Sequence, residues 1–185
     1  DGSLLSPYPS MLFGLETAYL NMKNGRYLFD TPFSHGRCGI PINGLVWMGT
    51  AEEMNFRMEE KIKAGFSCVK LKIGAIDFES ELALVKSIRK RFSKDVIELR
   101  VDANGGFSPA EAMERLEVLA RYDIHSIEQP IRQKQWSEMA RLCSTTPLPI
   151  ALDEELIGVN MKAMKEELLS VIKPQYIVLK PTLHG

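Results

Sequence analysis

Residues 97–106, IELRVDANGG, decide the fold. Leu99 and Val101 alternate with Arg100 and Asp102, so the run reads as a β-strand with one apolar and one polar face. Asn104, Gly105 and Gly106 then make a turn, which leaves a carboxylate at the strand tip. Four other runs share this design: CVKLKIG carries Lys72, HSIEQP carries Glu128, PIALDEEL carries Asp153 and YIVLKP carries Lys180. From Lys72 onward these residues lie 30, 26, 25 and 27 positions apart. A strand, a loop, a helix and a return loop occupy about that many residues. A repeating βα unit with a polar residue at each strand tip predicts an α/β fold of parallel strands, a (β/α) barrel whose strand ends build the site.

Outward from this repeat, residues 36–49 (GRCGIPINGLVWMG) supply a first strand, broken by Pro41 and Gly44, which brings the strands to six. A complete barrel takes about 250 residues. Six parallel strands leave two open edges, so the chain is expected to be part of a longer protein. Helical spacing runs over residues 9–24 and closes at Gly25, and residues 30–37 read as a linking loop. Thr50 with Glu53 forms a capping-box signature, Asp77 caps the next helix, and Ser108, Pro109 and Glu111 fit the N-cap, first and third helical positions. Further helices are expected at about 132–143 and 159–171, the last stopped by Pro174.

The formal net charge of −1 provides no basic field for nucleic acid or anionic lipid. No apolar run approaches the roughly 20 residues of a membrane span, and residues 1–10 show no signal-peptide pattern. Cys38, Cys68 and Cys143 are odd in number and scattered, which predicts reduced thiols in a cytoplasmic protein, Cys68 being a core strand residue. Dinucleotide fingerprints, phosphate loops, HExxH and Ser/His/Asp patterns are missing from the sequence.

Alternation sorts the strand residues into two sets. Val69, Leu71, Ile73, Leu99, Val101, Ile127, Ile150, Leu152, Ile177 and Leu179 are expected to pack on the outer helices. Lys70, Lys72, Arg100, Asp102, Ser126, Glu128, Asp153 and Lys180 then face the interior. Asp102, Glu128 and Asp153 come from consecutive strands about 4.8 Å apart, and converging carboxylates need a neutralising cation. Oxygen donors with no His or Cys nearby favour Mg²⁺, with Mn²⁺ as the alternative. Lys70 and Lys72 share a face. One ammonium beside another, partly desolvated, predicts a general base with a depressed pKa. Lys180 is a second acid/base group or a cation beside a developing anion. A divalent metal with lysines suits proton abstraction alpha to the carboxylate of a small-molecule substrate. Of the neighbours, Asn104 reads as a turn residue near the ligands, His125 as packing outward, His184 as a loop residue within reach of substrate, and Glu154 and Glu155 as a solvated loop, with an extra ligand as the other reading.

At these residues a resemblance becomes specific. VKLKIG, RVDANGG, IEQP, ALDEEL and VLKPTLHG resemble the KxK, Asp, Glu, Asp and Lys motifs of the enolase superfamily, in its muconate-lactonizing subgroup. The likeness runs over residues 9–185 and is closest to the o-succinylbenzoate synthase branch. It implies a modified TIM barrel with an α+β capping domain. Residues 1–30 would be the end of that domain, and 31–185 strands one to six of the barrel. It also implies a Mg²⁺-dependent syn dehydration, with Lys72 as base and Lys70 as its electrostatic partner. Asp102, Glu128 and Asp153 would be the metal ligands, and Lys180 would stabilise an enediolate. DEEL replaces the commoner DES after the third ligand. Racemase, epimerase and cycloisomerase branches share every one of these residues, and a non-catalytic barrel piece is the reading from another class. The oligomeric state is not encoded in any motif found.

Overall fold

The computed structural model describes residues 2–25 and 27–185, so Asp1 and Arg26, inside the expected 1–30 segment, lie outside the described residues. The elements run α1 (Pro9–Asn24), β1 (Gly44–Val46), α2 (Ala51–Lys63), β2 (Cys68–Lys72), α3 (Phe78–Arg91), β3 (Glu98–Asp102) and α4 (Pro109–Ala120). They continue with β4 (Ser126–Glu128), α5 (Trp136–Thr145), β5 (Ile150–Leu152), α6 (Lys162–Ile172), β6 (Tyr176–Ile177) and α7 (Pro181–His184). Short 3₁₀ turns cover Gly2–Leu5 and Glu154–Leu156.

The chain divides into two compact units. One comprises residues 43–155 and 167–178 and holds all six strands. They form one parallel sheet in sequential order β1 to β6. Sequential parallel order with a helix between neighbours is the βα repeat that the spacing predicts. Val69, Leu71, Ile73, Leu99, Val101, Ile127, Ile150 and Leu152 are all buried, as alternation requires. The helices supply the opposing apolar faces: Met54 and Met58 from α2, Leu82, Val85 and Ile88 from α3, Leu116 and Leu119 from α4, and Met139 and Leu142 from α5. Each such side chain contributes about 1.5–3 kcal/mol on burial.

The other unit comprises residues 1–42, 156–166 and 179–185. In it α1 lies against α7, where Ser10 Oγ donates to the Thr182 carbonyl at 2.8 Å. Among the described residues no helix is long and apolar enough to cross a membrane.

Two strands are shorter than the sequence suggests. β1 is only Gly44–Val46, so the expected strand is kept out of the ladder up to Asn43, and Gly44 begins it instead of breaking it. β6 stops at Ile177, and Val178 makes the last contact through its amide to Leu152 O, 2.8 Å. Ile177 and Leu179 are exposed, at 42% and 67%, where alternation placed them under helices. Cys68 is half-buried, with Sγ 3.4 Å from Glu98 Oε1, and not a core thiol.

Local capping follows the sequence closely. Thr50 Oγ1 accepts from Glu53 N, while Glu53 Oε2 accepts from Thr50 N at 2.8 Å, the reciprocal capping box. Asp77 caps α3 through Ser80 N. Ser108 stands at the N-cap of α4, but its hydroxyl donates to Glu111 Oε2 and accepts from no backbone amide. Thr50→Ala is expected to cost about 1 kcal/mol in equilibrium urea unfolding. Ser108→Ala should cost measurably less, because no amide loses its acceptor, and equal losses would contradict this assignment.

Candidate active site at the strand tips

Register brings the site together. In the ladder Lys72 pairs with Asp102, and Asp102 pairs with Glu128. All three end their strands, so a lysine and two acids lie side by side at the carboxyl edge of the sheet. Lys70, two residues before Lys72, faces the same way. Its Nζ lies 2.7 Å from Glu128 Oε2 and 3.3 Å from Asp102 Oδ2. Lys72 Nζ reaches Asp102 Oδ2 at 2.5 Å and Asn104 Oδ1 at 2.7 Å. Asp102 and Glu128 are buried at 0% and 7% exposure, which makes these charge-assisted contacts strong.

Electrostatics follow from that packing. Burial pushes the Glu128 carboxyl up to about 7; the bond from Lys70 opposes this and the charge of Asp102 adds to it. Burial also acts to raise Asp102, but bonds from Lys72 and Glu128 and the two lysine charges hold it below its ordinary value. Lys70 does not show the expected depression. Burial favours its neutral amine, but Glu128 and Asp102 outweigh that and raise its pKa. Two carboxylates within contact decide the sign, and a neighbouring ammonium does not.

Asp153 is buried, one residue beyond β5. Among the described residues no three His, Cys, Asp or Glu side chains are gathered as a metal ion requires. The donor chemistry of Asp102, Glu128 and Asp153 is all oxygen, which suits a hard divalent cation; in this arrangement the lysine ammoniums neutralise Asp102 and Glu128 instead. Lys180 is not a strand residue. It is the N-cap of α7, with Pro181 at the first helical turn, and it belongs to the other compact unit.

Several neighbours differ from expectation. His125 does not pack outward: its ring lies 5.1 Å from that of Tyr176, its Nδ1 is 2.9 Å from Ser126 Oγ, and it lines a cavity with Lys70, Arg100 and Glu128. His184 is buried with Nδ1 3.2 Å from the Leu156 carbonyl. Glu155 is not solvated but 3% exposed, accepting from Lys134 N at 2.7 Å. Glu154 accepts from Asn104 Nδ2 at 2.8 Å, so Asn104 bridges Lys72 to Glu154. Trp47, its ring 5.6 Å from Lys72 Nζ, was missed by the sequence reading; it follows β1 directly, so its place just past a strand end was the available signal.

These shifts carry a pH signature for protein freed of divalent cations. Glu128 titrates higher folded than its ordinary 4.5, so the stability it contributes falls as pH rises from about 4.5 to about 7, then levels off. Asp102 is lowered from 3.8, so its contribution is present above that value and is lost as pH falls. Thermal melts in EDTA should therefore show Glu128→Gln gaining on wild type between about pH 5 and 7. A difference independent of pH would contradict the Glu128 assignment.

The chain is similar to known proteins along nearly its whole length. It is 52% identical over 180 residues to the o-succinylbenzoate synthase of Desulfotalea psychrophila (strain LSv54 / DSM 12343), covering 96% of this chain and 49% of that relative. The crystal structure of MenC from Desulfotalea psychrophila LSv54 superposes with a TM-score of 0.77 at 52% identity, over 88% of this chain and 44% of that one. The dipeptide epimerase of Cytophaga hutchinsonii, solved with Mg and the dipeptide D-Ala-L-Val, gives a TM-score of 0.69 at 26% identity, over 78% and 38%. The chain thus spans about half the length of the relatives it matches. Residues 53–176, from α2 through the first residue of β6, match the family described as Enolase C-terminal domain-like, and the chain belongs to that family.

Proposed function

We propose that the protein built from this chain is an o-succinylbenzoate synthase. It would dehydrate 2-succinyl-6-hydroxy-2,4-cyclohexadiene-1-carboxylate to o-succinylbenzoate, a step of menaquinone biosynthesis. The observation that carries the reading is the in-register run Lys72, Asp102, Glu128, with Lys70 against both acids. The 52% identity to a relative of that name supports the substrate choice. Residues 1–30 are read as the end of a capping domain, and 31–185 as barrel strands one to six.

In this reading Lys72 Nζ removes the proton from the carbon that bears the ring carboxylate. The electron pair moves onto the carboxylate as an enediolate. It then returns to form the aromatic ring, expelling hydroxide from the adjacent carbon. The proton held on Lys72 passes to that hydroxide, and water leaves. Lys70 holds positive charge beside the reacting face, and Lys180 adds another cation for the enediolate. Asn104 Oδ1 and the Trp47 ring orient the Lys72 amine. Asp102, Glu128 and Asp153 would hold Mg²⁺, or Mn²⁺, which when bound neutralises the carboxylates and stabilises the developing negative charge.

The test is turnover of the cyclohexadiene substrate by full-length protein with Mg²⁺, followed as aromatic absorbance. Lys72→Ala is expected to lose about 10²–10⁴-fold or more in kcat while keeping its melting temperature within a few degrees. A fully active variant rejects Lys72 as the base. If the substrate is not turned over but deuterium exchanges at the alpha carbon of a dipeptide, the protein is an epimerase on the same scaffold, the chemistry named for the Cytophaga hutchinsonii structure.

A further inference from the structure

We propose that Gln129 is a positioning residue that sets the spacing of the three carboxylates, and that its loss weakens divalent-cation binding although it touches no ion. The inference rests on the metal reading of Asp102, Glu128 and Asp153 above.

Gln129 follows Glu128 directly and has no solvent exposure. Its φ of 38° lies in the left-handed region, which a non-glycine residue rarely adopts, and it precedes Pro130, which favours extended backbone there. Such a conformation persists only where surrounding contacts over-determine it. They do so here from every side. Its backbone N–H donates to Ala151 O on β5 at 2.9 Å, and its carbonyl accepts from Gly105 N at 2.7 Å in the turn that follows Asp102.

The side-chain amide is equally committed. Oε1 accepts from Asp153 N at 3.2 Å and from Glu155 N at 3.1 Å. Nε2 donates to Ile131 O at 2.9 Å and to Glu155 Oε2 at 3.3 Å. Both lone-pair directions and both hydrogens are used. β5 ends at Leu152, so Asp153 has left the strand, and its amide is held by Gln129 in place of a sheet partner. One residue thus ties the turn after Asp102, the strand end at Glu128 and the backbone at Asp153. Outer contacts of this kind change metal affinity by about 10–100-fold when removed.

The chemistry of the amide dictates the variants. Gln129→Met keeps the volume and removes the side-chain hydrogen bonds. Gln129→Glu keeps the acceptor but turns an oxygen toward two other acceptors, Ile131 O and Glu155 Oε2. Adding Glu155→Gln to Gln129→Glu returns a donor to that contact. In full-length protein, well below each melting temperature, Mn²⁺ affinity is read by electron paramagnetic resonance, and amide hydrogen exchange at 153–155 is read in EDTA. Both single variants should bind Mn²⁺ about ten-fold or more weakly and exchange these amides faster, and the double variant should recover part of both. Variants that lose thermal stability yet keep wild-type Mn²⁺ affinity and exchange overturn the inference alone. Wild-type protein that takes up no Mn²⁺ overturns the carboxylate reading, and the inference with it.

Discussion

Parallel register between β2, β3 and β4 is the constraint on which the rest depends. It sets Lys72 beside Asp102 and Asp102 beside Glu128, all at strand ends. A slip of one residue would turn each charged side chain under the helices and each apolar one into the site. The buried apolar faces of α2 to α5 therefore enforce the site indirectly: Leu71, Val101 and Ile127 can be buried only in the register that aligns the charges.

That alignment carries an electrostatic cost. Two acids on neighbouring strands are nearly sealed from water, and burial first, with the Asp102 charge adding to it, pushes Glu128 up to about 7. Lys70 and Lys72 offset the cost by lying against them. The contacts that stabilise the carboxylates also tie up the amines. In the proposed function, a divalent cation held by the carboxylates would free the lysines from these contacts.

The loops beyond the strand tips are built from backbone conformations that need outside support. Gly106 lies so close to Ala103 O and Gly74 O that an added Cβ would sit 2.9 Å and 3.0 Å from them, which brings the turns after β2 and β3 into contact. Glu81, 2% exposed, holds the first of these turns by accepting from Gly74, Ala75 and Ile76 N. Asn104 and Gln129, both at positive φ, hold the second and link it to the turn after β5.

Period-two alternation and the near-constant step between strand tips were enough to read six parallel strands, their order, the helix caps at Thr50 and Asp77, and the facing of Lys70, Lys72, Asp102 and Glu128. Each of these is set by neighbours within a few residues or by one repeating unit, so it is written locally. Residues past the strand ends were not legible in this way. Lys180 became a helix N-cap, Glu155 was buried by Gln129 and Lys134, His125 turned toward Tyr176, and Gln129 took on both loops. No local pattern governs Glu155, His125 or the Gln129 links to the other turns, because those partners lie 21 to 51 positions away. The sequence by itself determined which residues could share a face and a strand tip. Only the tertiary structure decided which charges touch, because side-chain pairing across strands depends on packing that brings distant segments within hydrogen-bonding range.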